Sequence, residues 1–184
     1  TAAAPTALDI ACRNPLGSAG AAVDALARAT RLPMTEVAAL AERHRGKRGI
    51  RRARRAIALV DPGAESPRET WLRLLLIRAG FPAPATQIAV YNEYGALVAS
   101  VDMGWEHLKI AAEYDGEHHR MDRRQFNTDI HRAEVLQELG WIHIRVTVAD
   151  VEGDVLRRVR AAFARRTRTH CEKSARFPPW MHAR

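Results

Sequence analysis

Residues 101–120 read VDMGWEHLKIAAEYDGEHHR, and the interpretation of the whole chain turns on them. The apolar run Leu108-Lys109-Ile110-Ala111-Ala112 leads into Glu113, Asp115, His118 and His119, with Asp102 one strand earlier. Side chains alternate along a strand, so Glu113 and Asp115 share one face while Ala112 and Tyr114 turn to the other, into a core. With the strands on either side of Trp105 paired, Asp102, Glu113 and Asp115 are expected to converge on one pocket. Three ionised carboxylates so close repel unless a cation neutralises them. An oxygen-only ligand set favours Mg²⁺ or Mn²⁺ over zinc, so these three are the expected metal ligands. Such an ion activates water and offsets the charge that builds on a phosphoryl group. His119 is placed to act as a base or to hold the water. Plainer readings stand beside these: Asp102 as a strand-end cap, and Asp115-Gly116 as a simple turn. Glu113, set among apolar residues, leaves least room for one, because an unpaired buried carboxylate is costly.

Working outward, residues 86–91 and 96–103 alternate like strands around a turn at Asn92-Glu93-Tyr94-Gly95, and residues 108–114 follow as a third strand, which suggests an antiparallel meander. Before them, Ser66-Pro67-Arg68-Glu69 reads as a capping box with proline at the first helical position. The helix that it opens, residues 69–79, is apolar on too many sides to lie on a surface. After the acidic stretch, residues 122–139 carry the helical stripe Phe126, Ile130, Ala133, Leu136 and Leu139, ended by Gly140. Asp129 and Arg132 stand three apart on that helix and can pair. Residues 141–148 form a fourth strand, which the intervening helix makes parallel to the third. Residues 151–165 form a last helix, and 167–184 are expected to be an extended or disordered tail. The reading is an α/β domain over residues 61–166, a mixed four-stranded sheet flanked by helices. Residues 1–60 read as an alanine-rich helical leader or linker, bounded by the turn Asp61-Pro62-Gly63.

The 184 residues carry 29 Lys and Arg against 21 Asp and Glu, a net charge of +8 that favours a polyanionic partner. The excess gathers in Arg45, Lys47, Arg48, Arg51, Arg52, Arg54 and Arg55, and again between Arg157 and Arg168. Solvated helix faces are the plain reading. Phosphate contact is the stronger one, since both clusters flank the acidic stretch and nucleic-acid binding needs cations near an acidic site. Cys12 and Cys171 have no CxxC or CxxH neighbours, which argues against zinc and for reduced thiols in a cytoplasmic protein. No apolar run approaches the ~20 residues of a membrane span and no signal pattern opens the chain, so no membrane partner is expected. The start at Thr1 suggests that a segment precedes it.

Asp102, Glu113-Tyr114-Asp115-Gly116 with His119 three residues on, Asp129, Arg132, and Leu139-Gly140-Trp141 followed by Arg145 form a combined pattern over residues 66–163. It resembles an uncharacterised domain family related to very-short-patch repair endonucleases, within the PD-(D/E)XK nuclease superfamily. The resemblance implies a restriction-endonuclease-like fold in which the helix before the sheet supplies Glu69, the second strand Asp102, and the third strand an E-x-K element. Asp115 stands where that element usually has lysine, and His119 would take over part of its role. The capping box accounts for Glu69 equally well. The implied activity is a metal-dependent DNA endonuclease of DNA repair or phage defence, with Glu69, Asp102, Glu113, Asp115 and His119 as catalytic residues. The alternative is a non-catalytic DNA-binding or toxin–antitoxin module that keeps the nuclease fold. Arg48, Arg51, Arg52, Arg55, Arg120 and Arg145 are the expected contacts to DNA, the expected partner, and a homodimer stays open. Residues 1–60 look similar to the linker in proteins that carry this domain behind an abortive-infection antitoxin-type winged helix, which implies such a domain before Thr1.

Overall fold

A computed structural model describes residues 2–116 and 123–175, with side chains described outside 123–130 and 169–175. The chain forms two units, one of Thr1–Ile88 with Ser100–Met103 and the other of Ala89–Ala99 with Gly104–Arg184.

The first unit is built on α1 (Ala3–Arg13), α2 (Leu16–Thr30), α3 (Met34–Arg43), α4 (Ile50–Ile57) and α5 (Pro67–Arg78). Alanine is the best helix former and also the smallest helical side chain, so the leader both forms helices and packs them closely. Ala7, Leu8, Ala19, Val23, Val37 and Ala53 are buried at their shared core. The leader is tied to α5 by a buried polar knot on Asp24. Its Oδ1 accepts the Asp61 N–H at 2.8 Å, and its Oδ2 accepts from the Thr70 hydroxyl at 2.8 Å and from Arg73 Nη2 at 2.9 Å. Asp61 in turn accepts the Thr86 hydroxyl and the Gly63 N–H, so the turn expected to bound a domain lies within this unit. Helix α5 starts as its sequence implies, with the Ser66 hydroxyl accepting the Glu69 N–H at 3.1 Å. It buries Leu72, Leu74, Leu75 and Leu76, as its all-round apolar pattern requires.

The expected α/β architecture is present: a mixed four-stranded sheet flanked by helices. Its strands are β1 (Ala85–Tyr91), β2 (Leu97–Trp105), β3 (Ile110–Asp115) and β4 (Ile142–Thr147), in the order β1-β2-β3-β4. Strand β3 begins two residues later than the sequence suggests, because Glu106–Leu108 forms a 3₁₀ turn closed by Lys109 in the left-handed region at φ 49°. In the second unit, α6 (Arg123–Glu138) carries the chain from β3 to β4, and the two strands pair in parallel with Ile110 opposite Ile142 and Glu113 opposite Arg145. Gly140, at φ 78°, ends α6 in a Schellman turn: its N–H bonds the Gln137 carbonyl and the Trp141 N–H bonds the Leu136 carbonyl. Gly104 lets β2 approach β3, since a Cβ there would run into the Ile110 carbonyl oxygen.

The final helix, α7, spans Glu152–Ala175. It runs ten residues past the expected end at 165, which corrects the reading of residues 167–175 as tail. Apolar periodicity does stop near Arg166, but a helix can run on without an apolar stripe where the sequence holds no Gly or Pro, and the next proline is Pro178. Residues 176–184 of the expected tail lie outside the described residues. Trp105 meets Phe163 of α7 edge-to-face, with ring centroids 4.7 Å apart. Among the described residues no helix is long and apolar enough to cross a membrane. Cys12 is a buried free thiol, and the Cys171 side chain lies outside the described set.

Candidate functional site

The parallel pair β3–β4 assembles a charged cluster in the second unit. Ile110, Ala111 and Ala112 are fully buried on β3, and this apolar strand delivers Glu113 to a position only 7% exposed. A carboxylate there needs partners, because an unpaired buried charge costs several kcal/mol. It has them on both oxygens. Arg132 of α6 donates to Oε1, and His143 of β4 lies with its Nε2 2.6 Å from Oε2. An ionised carboxylate only accepts, so in the ionised pair the proton sits on Nε2. Two residues along the same strand, Asp115 Oδ2 accepts from Arg145 Nη2 at 2.8 Å. Both cross-strand bonds step back by two positions in the register, since Glu113 lies opposite Arg145 and Asp115 opposite Thr147. Strand alternation puts Glu113 with Asp115, and His143 with Arg145, on common faces.

The cluster is held from behind. Arg158 of α7 donates to the Arg145 carbonyl at 2.7 Å and also bonds Asp150. At the start of β3, Lys109 Nζ donates to the Leu139 carbonyl at 2.9 Å, and Arg166 of α7 reaches the Gly140 and Lys109 carbonyls. A cavity of about 540 Å³ lies beside His143 and Arg145, bordered by Gln137, Trp141, Arg165 and Arg166. The guanidinium of Arg145 is accessible, its side chain being 43% exposed. Arg158 and Arg166, expected in a phosphate-binding cluster, thus have bonds to carbonyls and acids within the unit, and Arg157 pairs with Asp154 at 3.0 Å.

The other expected site residues are distributed as follows. Glu69 is buried at the start of α5, where its Oε2 accepts the Glu65 N–H at 2.8 Å. Its carboxylate therefore caps the helix, although at Glu65 rather than at the Ser66 N–H of a regular capping box. Asp102 is partly buried on β2, in the first unit. Arg48, Arg51 and Arg55 are exposed around α4, while Arg52 donates to the Cys12 carbonyl at 2.5 Å. His118, His119 and Arg120 lie outside the described residues. Arg132 pairs with Glu113; the side chain of its expected partner, Asp129, lies outside the described set. Among the described residues, no three His, Cys, Asp or Glu side chains are grouped as a metal site.

Three contributors escape a reading based on sequence motifs. His143 carries a visible signal, since it alternates with Arg145 on a strand expected to neighbour Glu113. Arg73 is flagged by its place between Leu72 and Leu74. Asp24, in an alanine-rich helix, gives no such sign.

In sequence the chain is similar to two uncharacterized proteins of Mycobacterium tuberculosis, from two strains. Each is 34% identical over 151 residues, which are 82% of this chain and 55% of the relative. The chain spans about half the length of the curated relatives that it matches. No family model matches the chain, and no solved structure matches it.

Proposed function

We propose that the chain carries a nuclease domain that hydrolyses DNA phosphodiester bonds with Mg²⁺ or Mn²⁺. The observation that carries this reading is Glu113, buried on the third strand of the sheet between Arg132 and His143, with Asp115 and the accessible Arg145 beside it. Carboxylate oxygens are the donors that hard divalent cations take, so Glu113 and Asp115 suit such an ion in donor type. Bound there, it would supply an activated water and offset phosphoryl charge. The chain's own contributions are separate. Arg132 and His143 fix the orientation of Glu113, as partners behind a ligand do. Arg145 presents a planar donor fork beside Asp115, suited to a phosphate oxygen. The resemblance assigns Asp102 the second-strand aspartate role, which mutation tests directly.

The test is nicking of supercoiled plasmid by the purified chain with Mg²⁺ or Mn²⁺, against EDTA. Glu113→Gln, Asp115→Asn and Asp102→Asn are each expected to slow nicking by about a hundredfold or more, the scale at which loss of a group acting in the transition state is felt. Thermal unfolding should confirm that each variant is folded. Equal nicking in EDTA, or unimpaired Glu113→Gln, overturns the assignment.

The non-catalytic reading has one observation of its own. Both Glu113 oxygens and one Asp115 oxygen already accept bonds from basic side chains, which neutralises these acids without a metal. It predicts salt-dependent DNA binding with no nicking at any divalent ion concentration.

A further inference from the structure

The basic stretch between Arg45 and Arg55 folds into a groove of about 720 Å³ in the first unit, lined by Arg13, Lys47, Arg48, Arg51 and Arg52. Its walls are α1's last turn, the turn at residues 47–49 and α4's first turn. Three interactions set this shape. Lys47 pairs with Asp9, Arg52 donates to the Cys12 carbonyl at 2.5 Å, and Gly49 lies against Cys12 at φ 85°, where a Cβ would run into the same carbonyl oxygen. Lys47 and Arg52 are therefore used to hold the walls. Arg48 and Arg51 are exposed and have no ion-pair partner among the described residues. Of the neighbouring acids, Asp9 pairs with Lys47 of the lining itself, and Glu42 is engaged away from it with Arg45 and Arg54.

We propose that this groove docks the phosphodiester backbone of duplex DNA, without reading its sequence. Four arginines around one concavity, beside a Lys47 already paired with Asp9 and with no acid in the lining, raise a field that concentrates anions. The start of α4 adds the positive end of its dipole. A repeating anion suits the layout better than a single phosphate. Arg51 and Arg55 stand four residues apart on α4, so that the basic row continues past the lining by about 6 Å. The lining contains no Asn, Gln or aromatic side chain, which leaves phosphate contact as its chemistry rather than base readout. This site lies in the helical leader, apart in sequence from Glu113 and Asp115, and does not rest on the hydrolytic reading.

The test is the affinity of the whole chain for a fluorescein-labelled duplex by anisotropy, in EDTA and across a salt series, so that a failure of the nuclease assignment leaves the result interpretable. Arg48→Ala with Arg51→Ala is expected to weaken binding about tenfold at low salt and to flatten the log–log salt slope by about 2, one unit for each phosphate that is no longer neutralised. Arg48→Lys with Arg51→Lys keeps both charges and should bind within about threefold of wild type, since pairing with a phosphate needs the charge more than the fork. Arg31→Ala with Arg78→Ala removes two exposed arginines outside the groove and should change affinity less than about twofold. Two duplexes of unrelated sequence should bind alike. Wild-type affinity in the Arg48→Ala, Arg51→Ala protein overturns the proposal. So does an equal weakening in the Arg31→Ala, Arg78→Ala control, or a strong preference for one duplex.

Discussion

Asp24 is 1% exposed, and its partner Arg73 is likewise buried. Burial pushes the Asp24 carboxyl above the usual range, against the opposing pull of the Asp61 N–H, the Thr70 hydroxyl and Arg73. The folded chain thus keeps this proton to higher pH than the unfolded chain, and the site's contribution to stability falls as pH rises through the folded value. The pair is weak evidence of net stabilisation, yet removing one partner strands the other. Asp24→Ala should cost about 3–5 kcal/mol by urea denaturation, because Arg73 is left as an uncompensated buried charge. A cost below about 1 kcal/mol, on that same principle, would mean that water reaches Arg73. His143 acts at this scale as a positioning residue for Glu113. If the nuclease reading holds, His143→Ala should lower nicking by about 10- to 100-fold and shift its pH profile. His143→Gln, which keeps a donor, should recover part of the activity. A merely structural role would give equal rates in both variants and an unmoved profile.

At the level of elements, the link from β4 into α7 depends on Asp150. Its Oδ2 accepts the Thr147 N–H at 2.7 Å and the Thr147 hydroxyl at 3.0 Å, while Arg158 bonds its other oxygen. The Thr147 N–H is the main cause that holds the Asp150 carboxyl below its usual range; the Thr147 hydroxyl and Arg158 add to it, and burial opposes them. A depressed folded pKa contributes stability above the unfolded value and loses it as pH falls through the folded one. Asp150→Asn should therefore cost about 1 kcal/mol at neutral pH, with the difference from wild type closing in acid. A gap that stays constant with pH would show that the charge is irrelevant. The close approach of β2 to β3 makes a second prediction. Gly104→Ala should destabilise by about 1–3 kcal/mol, the range for overpacking, as its methyl displaces the Ile110 carbonyl. Unchanged stability in a thermal melt would mean that the strands can part at no cost.

For the whole molecule, the two proposals divide along the chain: hydrolysis to Glu113 and Asp115, backbone docking to Arg48 and Arg51. Glu113→Gln should lose nicking while binding duplex in EDTA within about twofold of wild type, because sites that share no partner act additively. Loss of both properties in that one variant would show that the two sites are coupled.

The sequence by itself determined the elements and the parallel pair, because periods of 3.6 and 2, the Ser66 cap and the Gly140 stop are local, and a helix between two strands constrains their direction. It also singled out Glu113 and Asp115, since an acid following a buried strand is visible in the pattern of polarity. Only the tertiary structure decided the partners. That Glu113 is met by Arg132 on one oxygen and by His143 on the other depends on helix placement and register, and the use of Glu69 as a cap was settled by the structure too. A burial of charge such as Asp24 with Arg73 joins residues 49 apart, a distance over which no local propensity carries information. The extension of α7 to Ala175 escaped because a helix can continue past the end of its apolar stripe where no Gly or Pro follows, and periodicity reads only the stripe.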